Sequence, residues 1–121
     1  MREAIETFFG AWAMSDADAR VAAISSVYTS DGGYADPRSS GLLTGIDAIA
    51  GYVGMFSENA PGWTAEVVNA AETNDVMRAT VAFGGMGPDG SKMVQHGQYF
   101  VDFDGGKISR MIGFVGLGEP E

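Results

Sequence analysis

The chain has 121 residues, 45% of them hydrophobic and 19% charged, which is the composition of one folded domain with a single core. Sixteen acidic residues against seven basic leave a net charge of −9, so phosphate backbones and anionic lipids would be repelled, and neither nucleic acid nor a membrane is an expected partner. Cysteine is absent, which excludes disulfides, thiolate metal sites and a cysteine nucleophile together and suits a reducing cytoplasm, the expected location.

The opening MREAIETFF is amphipathic and partly acidic, without the basic-then-apolar pattern of a signal peptide. It is expected to belong to one domain covering 1–121. No apolar run approaches the roughly 20 residues that a bilayer requires. Ile5, Phe8, Phe9 and Trp12 recur at helical spacing and predict a first helix ending near Met14. Ser15-Asp16-Ala17-Asp18 reads as a capping box. A second helix follows to about Tyr28, burying Val21, Ile24 and Tyr28, and Thr29–Gly33 reads as a turn cluster.

Tyr34-Ala35-Asp36 is expected as a short strand, with Pro37 forcing Asp36 out of the helical region. Arg38 to Leu43 is loop or a second short strand. Thr44-Gly45-Ile46-Asp47 repeats the capping-box pattern, and a third helix carries Ile46, Ile49, Val53 and Phe56 on one face until Asn59-Ala60-Pro61-Gly62 breaks it. From Trp63 the pattern becomes that of strands. Thr64–Glu72 and Val76–Gly84 flank Thr73-Asn74-Asp75, a hairpin signal. Gly87-Pro88-Asp89-Gly90 is a turn by composition. Met93–Phe103 and Lys107–Val115 form two longer strands around Asp104-Gly105-Gly106. The order predicts an α+β fold with helices on one face of an antiparallel sheet.

The last two strands carry apolar groups on both parities. Tyr99, Val101 and Phe103 alternate with Phe100; Ile108, Ile112 and Phe114 alternate with Met111 and Val115. A sheet with one wet face alternates more cleanly. Three helices cannot cover both faces, so a homodimer through the outer face is expected.

Two N-terminal helices, a short strand ending in Tyr-Ala-Asp-Pro, a third helix and a closing meander with FVDFDGGKISRMIGF resemble the nuclear-transport-factor-2-like superfamily. Within it the chain is most similar to SnoaL-like and ketosteroid-isomerase-like proteins, from about Ile5 to Gly116. The resemblance implies a cystatin-like cone: a curved sheet wrapped round three N-terminal helices, enclosing an apolar pocket open at one end. That superfamily hosts isomerases, dehydratases, cyclases, epoxide hydrolases and non-catalytic pockets, so fold alone leaves the activity open.

Asp36 is the first candidate site residue. The Ala-Asp-Pro of residues 35–37 matches the place of the general base in ketosteroid isomerases. A carboxylate facing an apolar cavity loses hydration, which favours its proton-accepting role. The competing reading is an Asx-type turn at the surface. A base also needs donors aimed at the developing oxyanion. In ketosteroid isomerase these are a Tyr and a protonated Asp. By the resemblance those positions fall here on Phe8, which has no hydroxyl, and on Gln98.

His96 and Gln98 share one face of a strand by their spacing of two, and the family's inward parity assigns that face to the pocket. A Gln amide can donate to an oxyanion, and the single His can donate or accept. The alternative for His96 is an ordinary hydrogen-bonding role outside any site. Tyr34, two residues before Asp36, could add a phenol donor or pack an edge. Phe8, Trp12, Tyr52, Phe56 and Trp63 suit a flat ring ligand, yet aromatic residues at helical spacing also build cores. Met111 and Met77 give either an adaptable wall or gap-filling. Arg38 stands at an entrance or in solvent.

No Gly-rich phosphate loop is present, Ser39 and Ser40 lack a nucleophile elbow, and one His without Cys leaves no strong metal set. No cofactor is expected. Three readings follow: a cofactor-free isomerase, lyase or cyclase of a small hydrophobic carbonyl compound with Asp36, His96 and Gln98 catalytic; a binding module without chemistry; or a scaffold whose pocket is filled by Phe8, Trp12 and Phe56.

Overall fold

The computed structural model describes residues 2–39, 41–60, 62–74, 76–86 and 89–115, the side chain of Val115 excepted. Ser40, Pro61, Asp75, Gly87, Pro88 and Gly116, which enter the turn, breaker and family readings above, lie outside the described residues.

Helix α1 (Arg2–Gly10) buries Ile5, Phe8 and Phe9, as the 3,4-spacing requires. It does not continue to Met14. A 3₁₀ turn at Ala11–Ala13 tightens the chain and turns Trp12 into the interior. Helix α2 (Ala17–Val27) is capped by Asp16, whose carboxylate accepts the Asp18 N–H at 3.2 Å, one residue later than the Ser15 expected to cap it. Ile24 is buried, whereas Val21 is 37% exposed, contrary to its expected burial. The inward position goes instead to Arg20, whose guanidinium donates to the Met14 carbonyl at 2.7 Å and lies against Gly54.

The Thr29–Gly33 cluster is no turn. Strand β1 (Tyr28–Ala35) runs straight through it, paired parallel to β6 with an irregularity between Tyr28 and Gly33. The Tyr28 ring covers Gly32, where any Cβ would overlap it, and its hydroxyl donates to the Gly33 carbonyl at 2.9 Å. Glycines chosen for close packing thus imitate a turn signal. Strand β2 (Leu43–Thr44) pairs with Gly33 and Tyr34. Helix α3 (Ile46–Asn59) starts at Gly45, which has φ 94° and offers no side-chain cap, so the Thr44 capping box does not form.

Strands β3 (Thr64–Thr73), β4 (Val76–Met86), β5 (Lys92–Asp104) and β6 (Lys107–Val115) form the antiparallel meander anticipated from the sequence. The six strands make one curled sheet in the order β2-β1-β6-β5-β4-β3, with β1 and β6 its parallel pair. Its inner face presents Val67, Met77, Ala79, Val81, Tyr99, Val101, Ile108 and Met111 to the helices. With Ile5, Phe8, Phe9, Ile24, Ile49 and Val53 these form the core. No helix among the described residues is long and apolar enough to cross a membrane.

Candidate functional site

Asp36 follows the last residue of β1, and its two oxygens have different surroundings. Oδ1 accepts the backbone N–H groups of Arg38 and Ser39, each at 2.9 Å, while the Asp36 N–H donates to Ser39 Oγ at 3.0 Å. That is an Asx turn closed by a serine. Oδ2 accepts the Tyr34 hydroxyl at 2.6 Å, and the Tyr52 hydroxyl approaches Oδ1 at 2.7 Å and Oδ2 at 2.9 Å. Asp36 thus closes the Asx turn and at the same time lines a cavity. One oxygen builds the turn and the other belongs to a buried phenol cluster on a cavity wall.

Tyr34 has one proton, and the 2.6 Å separation commits it to the carboxylate. The Tyr99 hydroxyl lies 3.4 Å from that of Tyr34. With the Tyr34 proton spent, Tyr99 is free to donate its own to Tyr34 or to a molecule in the cavity. Burial pushes all three phenols above the ordinary tyrosine value of 10.0: Tyr34 furthest, helped by the charges of Tyr99 and Asp36; Tyr52, helped by its bond to Asp36; and Tyr99, chiefly through burial. They remain protonated donors across the physiological range. On the acceptor side, Oδ1 is occupied by two backbone donors and the nearer Tyr52 contact, which leaves Oδ2 a lone pair for an incoming proton.

The cavity in front of this cluster measures about 540 Å³, within the range of small-molecule sites. Trp12, Tyr52, Phe56, Trp63, Phe83 and Tyr99 supply its aromatic wall, and Asn59, Gln95, His96 and Arg38 add polar groups. Trp12 meets Phe56 edge to face at 5.0 Å and lies tilted against Phe83 at 5.6 Å. The Trp63 indole N–H donates to the Met86 carbonyl at 3.3 Å, and its ring lies on Gly85 where a Cβ would collide. Its plane is therefore held by strand β4.

Of the residues singled out from the sequence, Asp36, Trp12, Phe56, Trp63 and His96 meet at this cavity. Tyr34 is fully buried behind Asp36 rather than on the wall. Three others do not reach the cavity. Phe8 is sealed in the core against Phe9, Trp12, Tyr28 and Tyr34. Met111 is a fully buried core residue opposite Val101. Gln98 lies on the outer sheet face, opposite Phe114 and Thr80.

The error over Gln98 is one of parity. Gly97, Tyr99 and Val101 are the buried, inward residues of β5, so a one-residue shift exchanges faces. Tyr99 turns inward because glycines make room for it: a Cβ at Gly113 would overlap its ring, and one at Gly97 would sit 3.3 Å from it. His96 shares the parity of Gln98 and reaches the cavity from its rim, half-exposed. Tyr99 and Gln95 were not identified as site residues from sequence, and Tyr52 was counted only as an aromatic ring. Gly97, two residues before Tyr99 on β5, and Gly113, its partner across the β5–β6 register, were the available signal. Among the described residues no group of three or more His, Asp or Glu is placed to hold a metal ion.

With the geometry in place, comparison defines the class. The chain belongs to the SnoaL-like domain family, whose pattern matches residues 5–111. Its three helices on a curled, mostly antiparallel sheet are the nuclear-transport-factor-2-like fold. A proposed isomerase of the SnoaL-like family from Agrobacterium tumefaciens superimposes with a TM-score of 0.81 at 19% identity, over 96% of this chain and 97% of that one. A proposed SnoaL-like polyketide cyclase from Jannaschia sp. has a TM-score of 0.73 at 16% identity, covering 94% and 85%. An NTF2-like protein of unknown function from Exiguobacterium has a TM-score of 0.73 at 22% identity, covering 93% and 98%. No curated protein matches the chain.

Proposed function

We propose that the chain is a cofactor-free proton-transfer enzyme, an isomerase, lyase or cyclase, acting on a small hydrophobic carbonyl compound with Asp36 as general base. The observation that carries this reading is the divided carboxylate. One oxygen is locked in a turn and the other accepts phenol donors, in a residue that lines an aromatic cavity of about 540 Å³. The proposed isomerase and the proposed polyketide cyclase among its structural neighbours agree with that chemistry.

In the proposed step Asp36 Oδ2 takes a proton from the carbon next to the carbonyl, and the C–H electron pair moves onto the carbonyl oxygen. The Tyr99 hydroxyl, with His96 at the rim, donates to that oxygen. Tyr99 thus takes the role that the sequence assigned to Gln98. Returning the proton from Asp36 to another carbon gives an isomerase. Attack of the enolate carbon on a second carbonyl within the same molecule gives a cyclase. The aromatic wall orients a flat substrate and excludes water.

A solvent-exchange assay tests this without knowledge of the natural substrate. A cyclic aryl ketone such as 2-tetralone is incubated in D₂O with the protein, and deuterium entry next to the carbonyl is followed by NMR. Asp36→Asn is expected to lower the enzymatic exchange rate at least about a hundredfold while ligand affinity stays within about threefold, and Tyr99→Phe to lower it about tenfold or more. Exchange that persists in Asp36→Asn removes the base from the mechanism.

A second reading is a binding module without chemistry. The four groups already donating to Asp36 favour it, because a structural carboxylate is satisfied in just that way. Saturable quenching of tryptophan fluorescence by ring ketones, with no exchange at any pH, would select it.

A further inference from the structure

The cavity carries a charge that proton transfer alone does not use. The chain has seven basic residues against sixteen acidic, and among the described residues Arg38 is the only arginine or lysine on the cavity wall. Its place is set by the turn that holds the base. Pro37 fixes the backbone torsion just before it, and the Arg38 N–H donates to Asp36 Oδ1 at 2.9 Å. Asp36 is the only acid on the same wall, and two backbone N–H groups and two phenols already satisfy it. The Arg38 side chain is not its counter-ion. The ion pair among the described residues joins Arg2 and Glu6, which leaves the exposed Arg38 guanidinium without a carboxylate.

That charge reaches into the cavity. Burial raises the Tyr52 and Tyr99 hydroxyls, and the Arg38 cation acts on both in the opposite sense. Both phenols line the same space of about 540 Å³, so one ring-sized molecule can meet Tyr99 and the guanidinium together. The chemistry of the fork then selects the ligand group. A planar guanidinium matches a carboxylate with two parallel hydrogen bonds. One cation balances one negative charge, and a chain of net charge −9 opposes a dianion such as a phosphate monoester. Asn59 and Gln95 add only neutral donors and acceptors to the wall.

We propose that the substrate is a ring ketone bearing one carboxylate, which Arg38 binds at the cavity mouth while Tyr99 holds the carbonyl oxygen. This inference rests on the reading of the cavity as a ketone site and names the class of ketone. Arg38 is then the residue that determines specificity. It fixes the ring at a second point, so that the carbon to be deprotonated faces Asp36. It also offsets the repulsion between the Asp36 carboxylate and an anionic substrate.

Quenching of tryptophan fluorescence tests the proposal without turnover, since Trp12 and Trp63 stand in the cavity wall. The probes are 2-tetralones with a carboxylate at each open position of the benzene ring, each measured beside its own methyl ester. At least one acid is expected to bind about tenfold tighter than its ester, and the advantage is expected to shrink at high salt. Arg38→Gln is expected to abolish this preference and Arg38→Lys to keep part of it. Arg78→Gln removes the same charge from an exposed position on strand β4, away from the cavity, and is expected to keep the preference whole. If no acid binds better than its ester, the proposal is overturned. It is overturned equally by a preference that Arg38→Gln leaves intact or that Arg78→Gln removes to the same degree. A preference lost with Arg38, in a protein that exchanges no deuterium into either probe, sustains the anion site and sinks only the general base.

Discussion

The inner and outer faces of strand β5 are made from alternate residues of one segment, yet they do unlike work. Inward, Gly97, Tyr99 and Val101 are buried beneath the helices, and Tyr99 joins the phenol cluster around Asp36. Outward, Val94, Gln98 and Phe100 face away from the core. The two sets differ little in hydrophobicity, which is why pattern alone does not separate them. What separates them is space. Glycines at 97 and 113 admit a tyrosine ring on one side, while Val94 and Phe100 on the other stay exposed. Shape decides which apolar residue becomes core and which becomes surface.

That contrast can be broken most severely with alkali. Tyr28, Tyr34 and Tyr99 are all raised by burial above 10.0. Below that value each is neutral whether the chain is folded or not. Above it the unfolded chain loses these protons and the folded chain keeps them, so stability falls as pH rises. The loss amounts to up to about 1.4 kcal/mol per pH unit for each tyrosine. Chemical denaturation at fixed protein concentration should show a plateau to about pH 10 and a steep decline beyond; no change between pH 9 and 11 would contradict the burial of the phenols.

Next in size is Phe8→Ala. The ring is fully buried among four aromatic neighbours, and its loss should cost about 3–5 kcal/mol, read from the shift in the denaturation midpoint. As a core residue it should leave affinity for a ring ketone within a few-fold wherever the variant is folded. Gly113→Ala probes the space itself. The new methyl overlaps Tyr99 and should cost about 1–3 kcal/mol, with exchange activity falling more than in an outer-face control because Tyr99 must move. Val68→Thr is that control. Val68 is 47% exposed at the irregularity in strand β3, and the substitution should change stability by no more than about 0.5 kcal/mol.

Much of the architecture was legible because it depends on near neighbours in the chain. The Ile5–Phe8–Phe9–Trp12 spacing, the Asn59–Gly62 stop and the two hairpins of the meander all follow from local periodicity and turn chemistry. Asn74 at φ 50° and Gly105 and Gly106 at φ 59° and 84° occupy the turns that were expected of them. Asp36 was legible as well, through its proline. The failures share a cause. Gly32 and Gly33 look like turn residues, but they are strand residues accommodating the Tyr28 ring and strand β6. Val21 has the spacing of a buried residue, but Arg20 takes the interior position against Gly54 and the Met14 carbonyl.

By itself, then, the amino-acid order determined the succession of elements, their class of fold and the carboxylate at the end of the first strand, since each is written within a few consecutive residues. Only the tertiary structure decided which face of β5 looks inward and which phenols surround Asp36. Tyr34, Tyr52 and Tyr99 come from a strand, a helix and a second strand, and Tyr99 stands 65 residues from Tyr34. A period-two pattern with apolar groups on both parities is symmetric between its faces, and only packing against the helices breaks that symmetry.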